Sequence, residues 1–332
     1  MKIIGQIKSK TTLLLLALTA IVASCNKDTG DVLPTLSQMA VSYKGLGQLE
    51  LSVIKSDFLV TLSNKNTASG SEGNFTMFAP TNEAFAKIGL ANPQDLNLLQ
   101  HPFLVNLLKY HISNGNTRNE MLANGNTVTS LLGENLKKIF IVRNNELYVN
   151  GAKVISANIK TDNGTLHVIN RVLLGSDTDI ANTAMFFAQG KGFVKPELTF
   201  FEEAIAYADL VNTLSNATAG YTVFAPTDQA FKDLGKTLNV AINQPADIRK
   251  LDKATVKQIL LNHVLETGGK FTSQLYPGSV QALSGKNITL GEYINGVLSV
   301  KGAGNTTVAN MVIPDIQTTN GVVHVIDSVL LP

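Results

Sequence analysis

The twelve residues Asn74–Phe85 read NFTMFAPTNEAF, and the chain returns to the same pattern at Gly220–Phe231 as GYTVFAPTDQAF. A repeat of this length decides the organisation first: the chain holds two copies of one unit. The stretch also carries its own local physics. Phe75, Thr76, Met77 and Phe78 are strand formers in a short run, which reads as a buried strand. Pro80 has no N–H for a ladder and pushes Ala79 toward extended geometry, so the strand is expected to end there. Thr81 can then cap a helix, with Glu83 in its positive first turn. Phe85 and Ile88 share a helical face, and Gly89 is placed as a left-handed stop. The second copy repeats these devices with Tyr221, Val223 and Phe224, then Pro226, Thr227 and Asp228, then Phe231 and Leu234, with Gly235 as its stop.

Around each corner the copies run in parallel. An opening helix is read over Leu46–Ile54 with Phe58–Leu59, and again with clearer spacing over Leu198–Leu214. A second helical region covers Pro102–Ile112 and Ala254–Leu265. Short strands follow. In the first copy Ile139–Val142 and Glu146–Val149 flank the turn Arg143-Asn144-Asn145, and Lys153–Ile159 and Thr165–Leu174 flank Asp162-Asn163-Gly164. Asn320-Gly321 is the counterpart turn of the second copy. Helices first and strands last within each unit argue for an α+β fold. The polar stretch Gly175–Asn182 is expected to be a short linker.

Each unit also closes alike, on NGTLHVINRVLL at Asn163–Leu174 and NGVVHVIDSVLLP at Asn320–Pro332. With TMFAPTNEAF and TVFAPTDQAF, these segments resemble the two signatures of the fasciclin domain family, in order and twice. The resemblance implies two tandem domains, each a compact wedge of two β-sheets with helices packed along one edge. The expected division is residues 37–176 for the first domain and 180–332 for the second.

Residues 1–24 read as an export signal: lysines precede an apolar run over Leu13–Val22, too short to span a bilayer and followed by small residues. Those residues end at Val22-Ala23-Ser24-Cys25, which resembles a bacterial lipobox, so cleavage before Cys25 and acylation of Cys25 are expected. The alternative is an ordinary secretory signal cut near Ser24. Cys25 is the only cysteine, so an intramolecular disulfide is impossible and stability must come from packing. Residues 25–36 read as a flexible tether. This start is similar to that of Bacteroidota lipoproteins, which implies the cell envelope, at the outer membrane or its outer surface, with the N-terminal lipid in the membrane.

Electrostatics excludes one class of partner. The 27 basic and 25 acidic side chains give +2, but Lys2, Lys8 and Lys10 belong to the leader. The remainder is close to neutral, which gives nucleic-acid binding no support. Catalysis has no candidate constellation either. His111 matches His263, and His167 matches His324, but the two in each copy are far apart and lack the close-spaced ligands of a zinc site. They read as imidazoles hydrogen-bonded to backbone, and His101 as a surface residue. No GxSxG elbow or phosphate-cradling loop is present, and no metal or cofactor is expected.

Binding is where the resemblance says most. In fasciclin domains of animal matrix proteins, a Tyr-His pair on a helix and an Asp-Ile pair before the closing signature are adhesion determinants. Tyr110-His111 matches the first pair, whereas the second copy has Asn262-His263; Asp315-Ile316 matches the second, whereas the first copy has Asn158-Ile159. The candidate binding residues are therefore Tyr110, His111, His263, Asp315 and Ile316, with helix packing as the alternative role for Tyr110 and His111. The expected function is a non-enzymatic adhesion or scaffold lipoprotein that binds an extracellular protein or polysaccharide. The alternative is a carbohydrate-capturing lipoprotein of a glycan-uptake system. An absence of Trp and 6% aromatic residues weigh against the glycan reading.

Overall fold

A computed structural model describes residues 32–192 and 197–332. The expected signal, Cys25 and the tether up to residue 31 lie outside the described residues.

The first repeat opens with helices α1 (Leu36–Ser42), α2 (Gly47–Lys55) and α3 (Leu59–Ser63). Thr35 caps α1 in a reciprocal capping box with Gln38, and Leu36 is wholly buried, so the last residues of the stretch expected to be tether belong to the fold. The opening helix is broken in two because Asp57 takes a left-handed conformation (φ 62°) between α2 and α3. Next come β1 (Phe75–Pro80), α4 (Asn82–Ala86), α5 (His101–His111) and β2 (Ile112–Asn114). The strands β3 (Thr127–Ser130), β4 (Gly133–Arg143), β5 (Glu146–Val149), β6 (Ala152–Thr161) and β7 (Gly164–Ile169) complete it.

The second repeat follows the same order. After β8 (Leu174–Gly175) come α6 (Ile180–Ala188), α7 (Thr199–Tyr207) and α8 (Val211–Leu214), the last two separated by left-handed Asp209. Then follow β9 (Tyr221–Pro226), α9 (Asp228–Leu238), α10 (Lys253–Leu261) and β10 (Val264–Leu265). The strands β11 (Gly278–Gln281), β12 (Asn287–Leu290), β13 (Ser299–Gly302), β14 (Ala309–Thr318) and β15 (Gly321–Ile326) end it. Two expectations need correction here. The stretch read as a linker is tied to the second sheet: β8 pairs with β14, Ser176 N–H bonds Gln317 O, and Asp179 caps α6. Gly235 does not stop α9; the helix continues to Leu238, and Asn239 makes the left-handed cap. Gly235 is small for another reason, because a Cβ there would sit 2.7 Å from Val240 O.

Each repeat threads its strands into one ladder. The order is β2-β1-β7-β6-β5-β4-β3 in the first and β10-β9-β15-β14-β13-β12-β11 in the second, with β8 added on β14. Register shifts within β6 and β14 bend the ladder into two leaves. Bonds from Leu131 N to Ile112 O and from Leu283 N to Val264 O bring the far edges back, so each wedge is nearly closed. The two sequence signatures of a repeat become neighbours, because β1 pairs parallel with β7, and β9 with β15. Gly164 permits that approach: a Cβ there would lie 2.0 Å from Phe75 O.

A strand buried on both faces reads as a near-continuous apolar run, and β1 is buried throughout, with Thr76 its one polar side chain donating to Gly115 O. Met77 and Ala79 pack in the helix–sheet core with Phe85 and Leu107, while Phe78 points into the wedge with Phe140 and Ile169. The second repeat places Phe224 in its wedge with Ile288 and Ile326. The helix–sheet core itself runs through both repeats as one cluster, from Leu36 to Val329. Asn163 fastens the hairpin to the helices: its side chain donates to Leu62 O and Asn64 O and accepts from Leu36 N. Asn320 does the same with Leu214 O, Asn216 O and Ile180 N.

Candidate functional site at the junction of the two repeats

The histidines set the scaffold. His111 closes α5, where its Nδ1–H donates to Leu107 O at 2.8 Å and its Nε2 accepts from Leu173 N at 2.9 Å. His263 repeats this with Ile259 O at 2.7 Å and Leu330 N at 2.8 Å. The strand histidines also join two backbone segments. His167 donates to Thr117 O and accepts from Asn158 N, and His324 donates to Lys270 O and accepts from Asp315 N. Each ring is fully buried and has one nitrogen accepting, so each is neutral. Burial holds His111 and His263 down at about 4, and lowers His167 and His324 as well.

The strand histidines also explain the Asp-Ile position. Asn158 and Asp315 sit at the bends of β6 and β14 with φ of 60° and 67°, a region that Asn and Asp tolerate better than most residues. The imidazole bond to the backbone N–H holds each in place. Ile316, the next residue, is buried and pairs with both Val323 and Leu174.

The one pair that each repeat keeps, Tyr110-His111 in the first and Asp315-Ile316 in the second, is brought beside the other where the repeats meet. Tyr110 is fully buried; its hydroxyl accepts from Asn150 Nδ2 at 2.7 Å and donates to Gln317 Oε1 in the second repeat. Its ring lies against Gly175, where a Cβ would come within 2.9 Å of it. Burial, opposed by the Asn150 bond and aided by the Asp315 charge, raises the Tyr110 pKa. Asp315 accepts from Thr272 N and, at 2.7 Å, from Thr272 Oγ1, and it pairs with Arg171 of the first repeat at 3.3 Å. Asn262, which replaces Tyr110 in the second copy, turns to its own repeat and donates to Leu330 O. Tyr110, His111, His263, Asp315 and Ile316 thus make internal contacts. Cys25 lies outside the described residues.

Residues that carry no motif complete the joint. Arg143 reaches out of the β4–β5 turn, and its guanidinium donates to Leu275 O at 2.6 Å and Thr272 O at 3.3 Å. It is held between the rings of Tyr293, 3.8 Å away, and Tyr276, 4.6 Å away. Ser273 Oγ–H donates to Asn150 O. Arg143 was legible only as part of a turn; an Arg beside an Asn-Asn turn gives no sign of a target in another repeat. Arg143→Ala should weaken the joint by about 2–3 kcal/mol through the lost charged hydrogen bonds and ring contacts, and Arg143→Lys should not restore it, because an ammonium lacks the planar fork. Urea unfolding checks this; a midpoint unchanged by Arg143→Ala would refute the clamp.

Lys138, like Arg143, is a buried cation without a carboxylate partner among the described residues. Its ammonium caps the end of α5 by donating to Tyr110 O at 3.0 Å and Ile112 O at 3.2 Å, and burial lowers its pKa. No group of three or more His, Cys, Asp or Glu among the described residues could hold a metal ion. No described helix is long and apolar enough to cross a membrane.

Comparison with known proteins gives the wider setting. A family model, the fasciclin domain, matches residues 50–175 and again 196–332. Over 263 residues the chain is 28% identical to the transforming growth factor-beta-induced protein ig-h3 of Sus scrofa, covering 78% of this chain but 35% of that protein. It therefore spans about a third of that relative's length. Over 141 residues it is 36% identical to protein sll1483 of Synechocystis, covering 42% of this chain and 73% of that protein. A solved fasciclin domain pair from the insect cell adhesion molecule fasciclin I covers 87% of this chain and 97% of its own, at 19% identity and a TM-score of 0.38.

Proposed function

The chain belongs to the fasciclin family, and on that premise we propose that it is a non-enzymatic adhesion or scaffold module of the cell envelope, held to a membrane by acylated Cys25. The observation that carries this reading is the joint. Tyr110, Arg143 and Arg171 of one repeat bond Gln317, Leu275 and Asp315 of the other, so the two domains form a fixed pair with one continuous helix–sheet core. A pair locked in one orientation suits a structural or recognition surface, since rigid presentation lowers the ordering cost of each encounter. The histidines add support: all four buried rings serve backbone segments as neutral hydrogen-bonding groups and have no free nitrogen for proton transfer.

The anchor follows from the physics of lipidation. One acyl chain gives marginal membrane binding, whereas two or more hold stably, at about 0.8 kcal/mol per buried CH₂. The partner in this reading is an extracellular protein or polysaccharide met by the outer surfaces of the pair. The test uses cells bearing the full chain or its Cys25→Ser variant. The N-terminal peptide from membranes should begin at an acylated Cys25, and cells with the wild-type chain should aggregate or attach to matrix, while Cys25→Ser cells lose both properties. An unmodified Cys25 would overturn the anchor, and attachment independent of the protein would overturn the adhesion reading.

A further inference from the structure

Beside the Arg171–Asp315 pair the two repeats leave a cavity of about 220 Å³ between them. Ile88 and Val172 of the first repeat and Val297, Met311, Val312 and Pro314 of the second supply apolar walls. This is half as large again as the ~150 Å³ apolar cavity that holds a benzene ring. One end opens to a polar groove of about 620 Å³, and Lys87, Gly151 and Asn295 border both spaces.

The charges at that boundary do not balance. Arg171 is neutralised by Asp315 and also donates to Asn295 O at 3.1 Å, and Lys153 in the groove pairs with Glu146. Lys87 has one hydrogen bond, to Asn170 O at 3.0 Å, and no carboxylate within ion-pair distance among the described residues. Partial burial and then the Arg171 charge, against the opposing pull of Glu83 one turn earlier, hold its ammonium below the ordinary lysine value.

The second repeat supplies an internal comparison. At the matching place, between α9 and the closing segment, lies a depression of about 240 Å³ lined by Ala230, Leu234 and Val329. There Asp233 stands for Lys87 and Ser328 for Arg171, so the cationic rim belongs to the junction alone. Two copies of one unit have diverged in charge at the position where only one of them is walled by a neighbouring repeat.

We propose that this junction cavity is a binding site for a small monoanionic amphiphile, a carboxylate on an apolar body of roughly eight carbons, with its carboxylate on Lys87 and its body between Ile88, Val172, Val297 and Val312. One ammonium without an ion-pair partner, under only the longer-range pull of Glu83, suits a monoanion rather than a dianion. The apolar walls suit a hydrocarbon rather than a sugar. Because both repeats contribute walls, the ligand also bridges the joint and stabilises it by linkage.

Sodium octanoate is the probe, added to the full chain and followed by methyl NMR and calorimetry, with octanamide as the neutral analogue and octyl phosphate as the dianionic one. A ligand of this size in such a cavity should bind with a Kd between about 10 µM and 1 mM. The expected result is saturable 1:1 binding that shifts the methyl signals of Val172, Val297 and Val312, with octanamide about tenfold weaker. Lys87→Gln should lose about tenfold in affinity and Lys87→Arg should retain most of it. Equal binding of octanamide, tighter binding of octyl phosphate, indifference to Lys87→Gln, shifts confined to other methyl groups, or no saturation would each overturn the assignment.

Discussion

Acidification from neutral pH to about pH 4.5 is expected to remove about 5 kcal/mol of stability through two side chains, His111 and His263. Each ring is held at about 4 in the folded protein, by burial first, against an ordinary value of 6.5. The unfolded chain therefore binds more protons than the folded one between those values, and stability falls as pH falls. The contribution is fully present above about 6.5, begins to fade below it and is gone once the pH passes through about 4. The gap corresponds to about 3 kcal/mol per imidazole when complete. The geometry gives the reason: a proton added at Nε2 would face the N–H of Leu173 or Leu330, turning an accepted hydrogen bond into two opposed donors.

The surroundings of these rings act in both directions, since the backbone bonds to Leu107 and Ile259 oppose the effect of burial. Lys138 adds to burial in disfavouring protonation of His111, while His263 is held down by burial alone. His167 is lowered by burial, and His324 is lowered by burial and Arg171 against the opposing pull of Asp315, so both act in the same direction. A loss of this size is comparable to the whole stability of an ordinary domain, about 5–15 kcal/mol. Urea titrations at neutral pH and near pH 4.5, read by circular dichroism, measure it. A change below about 1 kcal/mol would show that the rings are protonated in the fold and that the neutral network is wrong.

A large substitution effect is expected at Gly151. A Cβ there would lie 1.7 Å from Asp315 Oδ2, 2.3 Å from its Cγ and 2.6 Å from Thr272 Oγ1. None of these can step aside cheaply, because Asp315 is fixed by Thr272, by Arg171 and by the His324 bond to its backbone. Gly151→Ala must therefore break a nearly buried ion pair or move one repeat away from the other. The expected cost is about 3–5 kcal/mol, that of leaving buried charges without partners. In calorimetry one joint transition should become two, one per repeat. Gly133→Ala is the control, since no atom lies within 4 Å of its Cβ position, and it should change stability by less than about 0.5 kcal/mol. Equal stabilities for the two variants would show that the junction is loose.

What was legible in the residues beforehand was the local and the periodic. The strand-to-helix corner with Thr81 and Thr227 as caps, the left-handed Gly89 and the Asn144-Asn145 turn all follow from short-range chemistry, and the structure contains each of them. The family signatures carried the fold, because they mark the parallel-paired strands β1 and β7 with their counterparts β9 and β15. The helix ends were harder. Gly235 looked like Gly89, but the close return of Val240 and Ile242 decides its role, and no local rule contains that contact. The stretch after Gly175 looked like a linker because it is polar; its order comes from β14, more than a hundred residues away. The junction was the least legible part. Arg143, Gly151, Arg171 and Thr272 have ordinary local settings and acquire meaning only when the second repeat docks on the first.

The parallel pairing of β1 with β7 has a kinetic consequence. The first signature strand of each repeat has to wait for the strand that ends the repeat, after every intervening helix and hairpin has been synthesised. Such distant pairing raises contact order, so closure of the wedge should be slow compared with formation of the helices. A nascent repeat keeps an open edge on its most apolar strand until the Asn-Gly hairpin arrives, and Asn163 or Asn320 then fastens helices and sheet in one step. Each unit should thus remain uncommitted during most of its synthesis and settle only when its closing signature has emerged.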